Sequence, residues 1–294
     1  MTEPLEALRG YVHFLHEREG VRQVRLSRTA REGLAKLVGS RRTPGGGRSS
    51  ERKAPPPGTG TPDAAATTPA VTRRTTAPTE PPLEISGSTK AEQLRHLAER
   101  AAVCVKCPHL VASRHHVVFG VGNPEAKLMF IGEGPGEAED LQGEPFVGPA
   151  GQLLTKMIVA MGLTREQVYI ANVLKCRPDM PPGASGNRKP SKQEMDTCLP
   201  YLRAQIDVIK PAVMVALGAT AVEGLLGAVG SIGSLRGQFR EYRSVPLMPT
   251  YHPSYLLRNQ SNTEKRKVWE DLLKVMERLE MPVSEKQRGY FLAR

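Results

Sequence analysis

Apolar residues in this chain fall into short runs, each closed by a glycine-rich or polar signature. Lys127 to Ile131 leads into Gly132-Glu133-Gly134-Pro135-Gly136, Tyr169-Ile170-Ala171 into Asn172, Ala212 to Leu217 into Gly218, and Tyr251 into His252-Pro253-Ser254. Between the runs the spacing changes to that of helices. Leu153, Leu154, Met157, Ile158 and Met161 form one stripe after the turn Gly148-Pro149-Ala150-Gly151. Ser191 and Glu194 make a capping box ahead of Met195, Cys198, Leu199 and Leu202, in a helix that Pro200 is expected to distort or restart. Val268, Trp269, Leu272, Leu273, Met276 and Leu279 mark a closing helix. From about residue 90 this alternation predicts βαβ units, hence a parallel sheet with helices on both faces. Ligands of such sheets bind beyond the carboxyl ends of the strands, where the four signatures would meet.

The first 89 residues read differently. Leu5, Leu8, Val12 and Leu15, then Leu34 and Leu37, suggest a small helical appendage over residues 1–40. Residues 41–82 hold nine Pro and five Gly, with Val71 as the one larger aliphatic, too little apolar surface to offset the entropy of ordering. The expected organisation is therefore an appendage at 1–40, a disordered linker at 41–89, a folded domain at 90–282 and a C-terminal tail at 283–294. No apolar run approaches the roughly 18 residues of a membrane span, so a soluble, cytoplasmic protein without membrane contact is expected.

The net charge of +11 favours a polyanionic partner, nucleic acid first. The excess is spread along the chain, with 14 basic against 9 acidic residues over 1–89 and 27 against 21 beyond. Four cysteines change the picture further: Cys104 and Cys107 as a CxxC pair, then Cys176 and Cys198. In a reducing compartment disulfides are disfavoured, and the pattern suggests a metal site. Four thiolates suit zinc or a [4Fe-4S] cluster, and spacing alone also leaves four unrelated buried thiols open.

The motifs Gly132-Glu133-Gly134-Pro135-Gly136 with Glu139-Asp140, Gly143-Glu144-Pro145-Phe146-Val147-Gly148, Asn172-Val173-Leu174-Lys175-Cys176-Arg177-Pro178 and His252-Pro253-Ser254-Tyr255-Leu256-Leu257 together resemble the family 4 uracil-DNA glycosylases. This is the iron-sulfur branch of the uracil glycosylase superfamily, and the resemblance covers roughly residues 92 to 280. The expected fold class is α/β, a three-layer α/β/α domain with a central, mainly parallel four-stranded sheet, plus the small N-terminal helical appendage. The resemblance implies a monofunctional DNA repair enzyme that hydrolyses the N-glycosidic bond of deoxyuridine and leaves an abasic site. It implies a structural [4Fe-4S] cluster on Cys104, Cys107, Cys176 and Cys198. Uracil-containing DNA, single- or double-stranded, would be the partner of a monomer, and the appendage could bind an unknown protein.

Roles for individual residues follow. The target base must leave the stack, and Phe146 is the candidate platform for it. The Asn172 amide can donate to uracil O4 and accept from N3–H, a pattern that cytosine reverses. The family pattern makes Glu139 the candidate wall against the thymine methyl, the alternative being that Glu139 and Asp140 are helix-turn acids interacting with backbone N–H groups. His252 is placed to stabilise charge developing on O2. Glu133 would orient water or stabilise the cationic sugar, with Gly132 and Gly134 letting the backbone approach the base. Ser254, Arg258, Arg236 and the segment 231–237 are candidate phosphate contacts. The competing reading is a non-catalytic iron-sulfur or zinc DNA-binding protein of the same fold, associated with replication or repair. A sister group that traps DNA covalently carries a histidine-bearing loop, whereas Arg177 to Thr197 contains no histidine.

Overall fold

Strict alternation along β2 (Leu128–Gly132) divides its side chains between two cores, one on each face of a sheet. In the computed structural model, which describes residues 83–178, 180, 186–228 and 230–292, Met129 and Ile131 enter one core, and Leu128 and Phe130 the other. The N-terminal appendage and almost all of the linker lie outside the described residues.

β2 sits between β3 (Tyr169–Asn172) and β4 (Val213–Leu217), both parallel to it, and β4 pairs in parallel with β6 (Val245–Thr250). Two short antiparallel pieces, β1 (Val121–Gly122) beside β3 and β5 (Arg240–Tyr242) beside β6, extend the sheet to six strands in the order β1-β3-β2-β4-β6-β5. The expected four-stranded core is thus the parallel centre of a wider sheet. With two and three residues, the added edges are too short to produce a readable alternation.

Helices α1 (Lys90–Ala102) and α5 (Lys192–Ile209) cover the face holding Met129 and Ile131. Thr89 and Ser191 start them with capping boxes closed by Glu92 and Glu194. α5 runs unbroken through Pro200, contrary to the expected restart. The ring removes a single backbone donor, and Met195, Leu199, Leu202, Ile206 and Ile209 bury a continuous stripe on both sides of it. The other face is covered by α4 (Pro149–Ala160) and α9 (Asn262–Arg278). The shorter helices are α2 (Pro108–Ser113), α3 (Glu137–Gln142), α6 (Ala219–Leu226), α7 (Ile232–Leu235), α8 (Pro253–Arg258) and α10 (Glu285–Arg288).

The stretch after residue 282 packs back onto α9. Trp269 Nε1 donates to Gln287 O at 2.6 Å, the Trp269 and Tyr290 rings lie 5.2 Å apart, and Arg266 Nη1 donates to the carbonyls of Arg288 and Tyr290.

Candidate active site

Parallel pairing sets Gly132 directly opposite Asn172, and Leu217 opposite Thr250. The residues that follow these ends therefore gather at one edge of the sheet. After β3 the chain crosses from one side of β2 to the other, which makes this edge a topological switch point. A cleft of about 590 Å³ opens there, walled by Glu133, Gly134, Phe146, Asn172, Gly218 and His252.

Asn172 is buried, and its Oδ1 has no hydrogen-bond partner. Its neighbours explain the glycine at the end of β2. A Cβ at Gly132 would stand 2.3 Å from Asn172 Oδ1 and 2.6 Å from Phe146 Cζ. Asn172 is anchored from behind by Lys175, whose fully buried Nζ donates to Asn172 O at 2.9 Å and to Gln205 Oε1 at 2.5 Å. Burial pulls the Lys175 ammonium down to about 7.

Phe146 holds a positive φ of 55°, a conformation costing a non-glycine residue on the order of 1 kcal/mol or more. Its ring centroid lies 5.6 Å from that of His252. His252 caps α8: Ser254 N donates to His252 Nδ1 at 3.2 Å, and Ser254 Oγ lies 2.8 Å from the same atom. Nδ1 is then the acceptor, and the ring proton resides on Nε2. Burial, helped by the Arg258 charge and opposed by Glu139, lowers His252 to about 4, so the ring is neutral at pH 7. Glu133 behaves oppositely to an exposed carboxyl. Burial raises it above the ordinary range, while a Thr220 hydrogen bond and the Lys189 charge offset part of the shift.

Glu139 stands in the cleft wall with its carboxylate already engaged. Oε1 accepts from the amides of Val147 and Gly148 at 3.0 and 2.9 Å, and Oε2 from Gly136 N at 3.1 Å. Asp140 faces the other way, fully buried, and accepts from His115 N while pairing with the His115 ring. Among the candidate phosphate contacts, Ser254 and the exposed Arg258 line the cleft, and Ile232 represents the segment 231–237. Arg236 does not itself line the cleft. Its guanidinium donates to both Asp271 oxygens and to Lys267 O, and lies over the Tyr251 ring. A buried carboxylate on α9 took that arginine, and no motif signalled it. The structure adds Asn187 and Arg188 to the wall. Arg188 pairs with buried Glu194, whose carboxyl burial would raise, yet Arg188, His109 and the Ser191 amide hold it down at about 2.

The four cysteines come together on one flank. Cys107, Cys176 and Cys198 border a small apolar cluster with Leu110 and Leu174, and burial, followed by the neighbouring thiols, raises Cys107. Cys198 is pushed up to about 12 by burial. Donors already face the sulfurs: Arg114 Nη1 lies 3.2 Å from Cys176 Sγ, and Lys175 N lies 3.2 Å from Cys198 Sγ. Among the described residues, no three His, Cys, Asp or Glu side chains close around one point as ligands of a single ion would.

The family described as the uracil DNA glycosylase superfamily matches residues 119–273, more than half of the chain. The chain belongs to the uracil-DNA glycosylase superfamily. Within it, a type-4 uracil-DNA glycosylase of Thermotoga maritima is 46% identical over 188 residues, covering 63% of this chain and 94% of the relative. A type-4 enzyme of Sulfurisphaera tokodaii is 39% identical over 211 residues, covering 68% and 91%. A type-5 enzyme of Thermus thermophilus is more distant, at 28% over 206 residues, covering 59% and 90%. The superfamily match spans β1 through most of α9 and so includes every strand end that walls the cleft. Among the described residues, no helix is long and apolar enough to cross a membrane.

Proposed function

We propose that this chain excises uracil from DNA by hydrolysing the bond between N1 of the base and C1′ of the deoxyribose, leaving an abasic site. The observation that carries the reading is the unpartnered, buried Oδ1 of Asn172 at the base of the cleft. Such an atom costs about 1 to 3 kcal/mol unless a ligand completes it, and uracil N3–H does so while O4 accepts from the same amide. Cytosine would leave both groups unpaired, so the discrimination resides at this residue.

The extruded base stacks on Phe146, with the Gly132 backbone beneath it. As the glycosidic bond lengthens, its electron pair moves into the ring and charge collects on O2. His252 meets that charge as a neutral Nε2–H donor, fixed in orientation by Ser254. A fixed donor of this kind stabilises charge present mainly in the transition state. Glu133, when ionised, balances the cationic sugar or orients the water that adds to C1′ and then gives up a proton. Arg258 and Ser254 at the mouth serve the phosphates flanking the target. Glu139 bounds the C5 side as a carboxylate held still by three amides.

Cys104, Cys107, Cys176 and Cys198 would hold a [4Fe-4S] cluster. The donor set supports this: four thiols on one flank, with a cationic and an amide donor facing the sulfurs. When bound, the cluster supplies a cross-link between the segment before α2, the loop after β3, and α5; the hydrolysis moves no electrons through it. A monomer in the cytoplasm, with the appendage meeting a protein partner, completes the reading.

The test is cleavage, after alkali, of a labelled oligonucleotide carrying a single uracil, using anaerobically purified protein with its visible spectrum recorded beforehand. Breaks only at uracil are expected. A coloured protein that binds the oligonucleotide and leaves uracil in place would overturn excision in favour of DNA binding alone.

A further inference from the structure

We infer that Arg165, which does not line the cleft, is a positioning residue that sets the stacking plane for the base by gripping the backbone of Phe146 from behind. The inference rests on the excision reading above. The left-handed backbone of Phe146 is one that an aromatic residue keeps only where its surroundings over-determine it. Those surroundings form a two-sided clamp of opposite charges. On one side Glu139 accepts from the amides of Val147 and Gly148. On the other, Arg165 donates through Nη1 to Phe146 O at 3.1 Å and through Nη2 to Pro145 O at 2.9 Å, with Thr155 Oγ1 3.3 Å from Nη1. The peptide between Phe146 and Val147 is therefore held at both its oxygen and its nitrogen.

The fit is close as well as polar. A Cβ at Gly151 would fall 1.8 Å from Phe146 O, so the first turn of α4 accepts that carbonyl only because residue 151 has no side chain. A guanidinium fork spans two adjacent carbonyls in one plane, which a lysine ammonium cannot reproduce. Arg165 touches no group that would meet the substrate, so its effect must pass through the placement of the Phe146 ring.

The experiment uses the full chain and reads inhibition of excision by free uracil beside affinity for DNA containing an abasic site. Arg165→Met is expected to weaken uracil inhibition about tenfold and to raise KM, with abasic-site affinity unchanged. Arg165→Lys is expected to recover less than half of the loss, despite keeping the charge. In a Phe146→Ala background Arg165→Met is expected to add nothing, because the ring through which it acts is gone. Thermal midpoints identify the temperature at which each variant is folded, and the Lys variant carries the comparison if the Met variant is not. Unchanged uracil inhibition in both Arg165 variants, or full additivity with Phe146→Ala, would overturn the clamp. Unchanged uracil inhibition in Phe146→Ala alone would overturn the stacking reading beneath it, a separate failure.

Discussion

The amide of Ser254 donates to Nδ1 of His252, so a residue two positions along the chain decides which nitrogen of the histidine carries its proton. With the ring lowered to about 4, the Nε2–H tautomer is expected to persist from neutrality down to mildly acidic pH. A nitrogen-15 NMR titration of the ring checks this, and an imidazolium signal at pH 7 would contradict it. Replacing the ring by His252→Ala is expected to slow single-turnover excision roughly 100-fold or more.

The acid limb of the pH–rate profile is expected to come from Glu133. Its carboxyl is raised by burial and must be ionised to act, so the rate should climb with pH through a value above the ordinary carboxylate range. In Glu133→Gln that limb should vanish together with most of the rate. A limb that survives the substitution would have to be assigned elsewhere.

Asn172→Ala removes both the donor and the acceptor that read uracil. Excision is expected to fall by about 100-fold or more, with iron content and thermal midpoint close to the parent. Near-normal rates would show that the base is read by another group.

The pair between Arg236 and Asp271 is almost wholly enclosed, and Asp271 also accepts from Thr250 Oγ1 at 2.6 Å, just before the strand end that carries His252. Removing one partner strands a buried charge, so Arg236→Met is expected to lower folding stability by about 3 kcal/mol in denaturant titrations. Affinity of the folded variant for DNA should be unchanged. A pure loss of affinity without a stability change would make Arg236 a phosphate contact instead.

Cys176→Ala takes a ligand from the proposed cluster and is expected to lose iron and soluble yield together. A folded, fully active variant without iron would remove the cross-linking role.

Much of this site was legible because its residues follow apolar runs, and runs of that length are what a buried parallel strand requires. Gly132, Asn172 and Gly218 were found in this way, and His252 from the signature Tyr251-His252-Pro253-Ser254. β6 was harder to see, since Pro246 and Pro249 interrupt the strand signal even though the short β5 leaves part of its edge uncovered. Partners chosen across the fold left no local mark. Arg236 lies 35 residues from Asp271, and Arg165 lies 19 from the carbonyl it holds, so neither assignment could be read from spacing. Glu139 was singled out by the family pattern, but two of the three amides it accepts from, those of Val147 and Gly148, are defined only once the following turn folds back.

The chain has a single tryptophan, Trp269, and its indole N–H is bonded to the segment that follows residue 282. Its fluorescence is therefore a native optical reporter of how that segment sits on α9. Because the ring lies outside the cleft wall, a change in emission when DNA is added would report movement at the back of the domain, separate from occupancy of the base pocket.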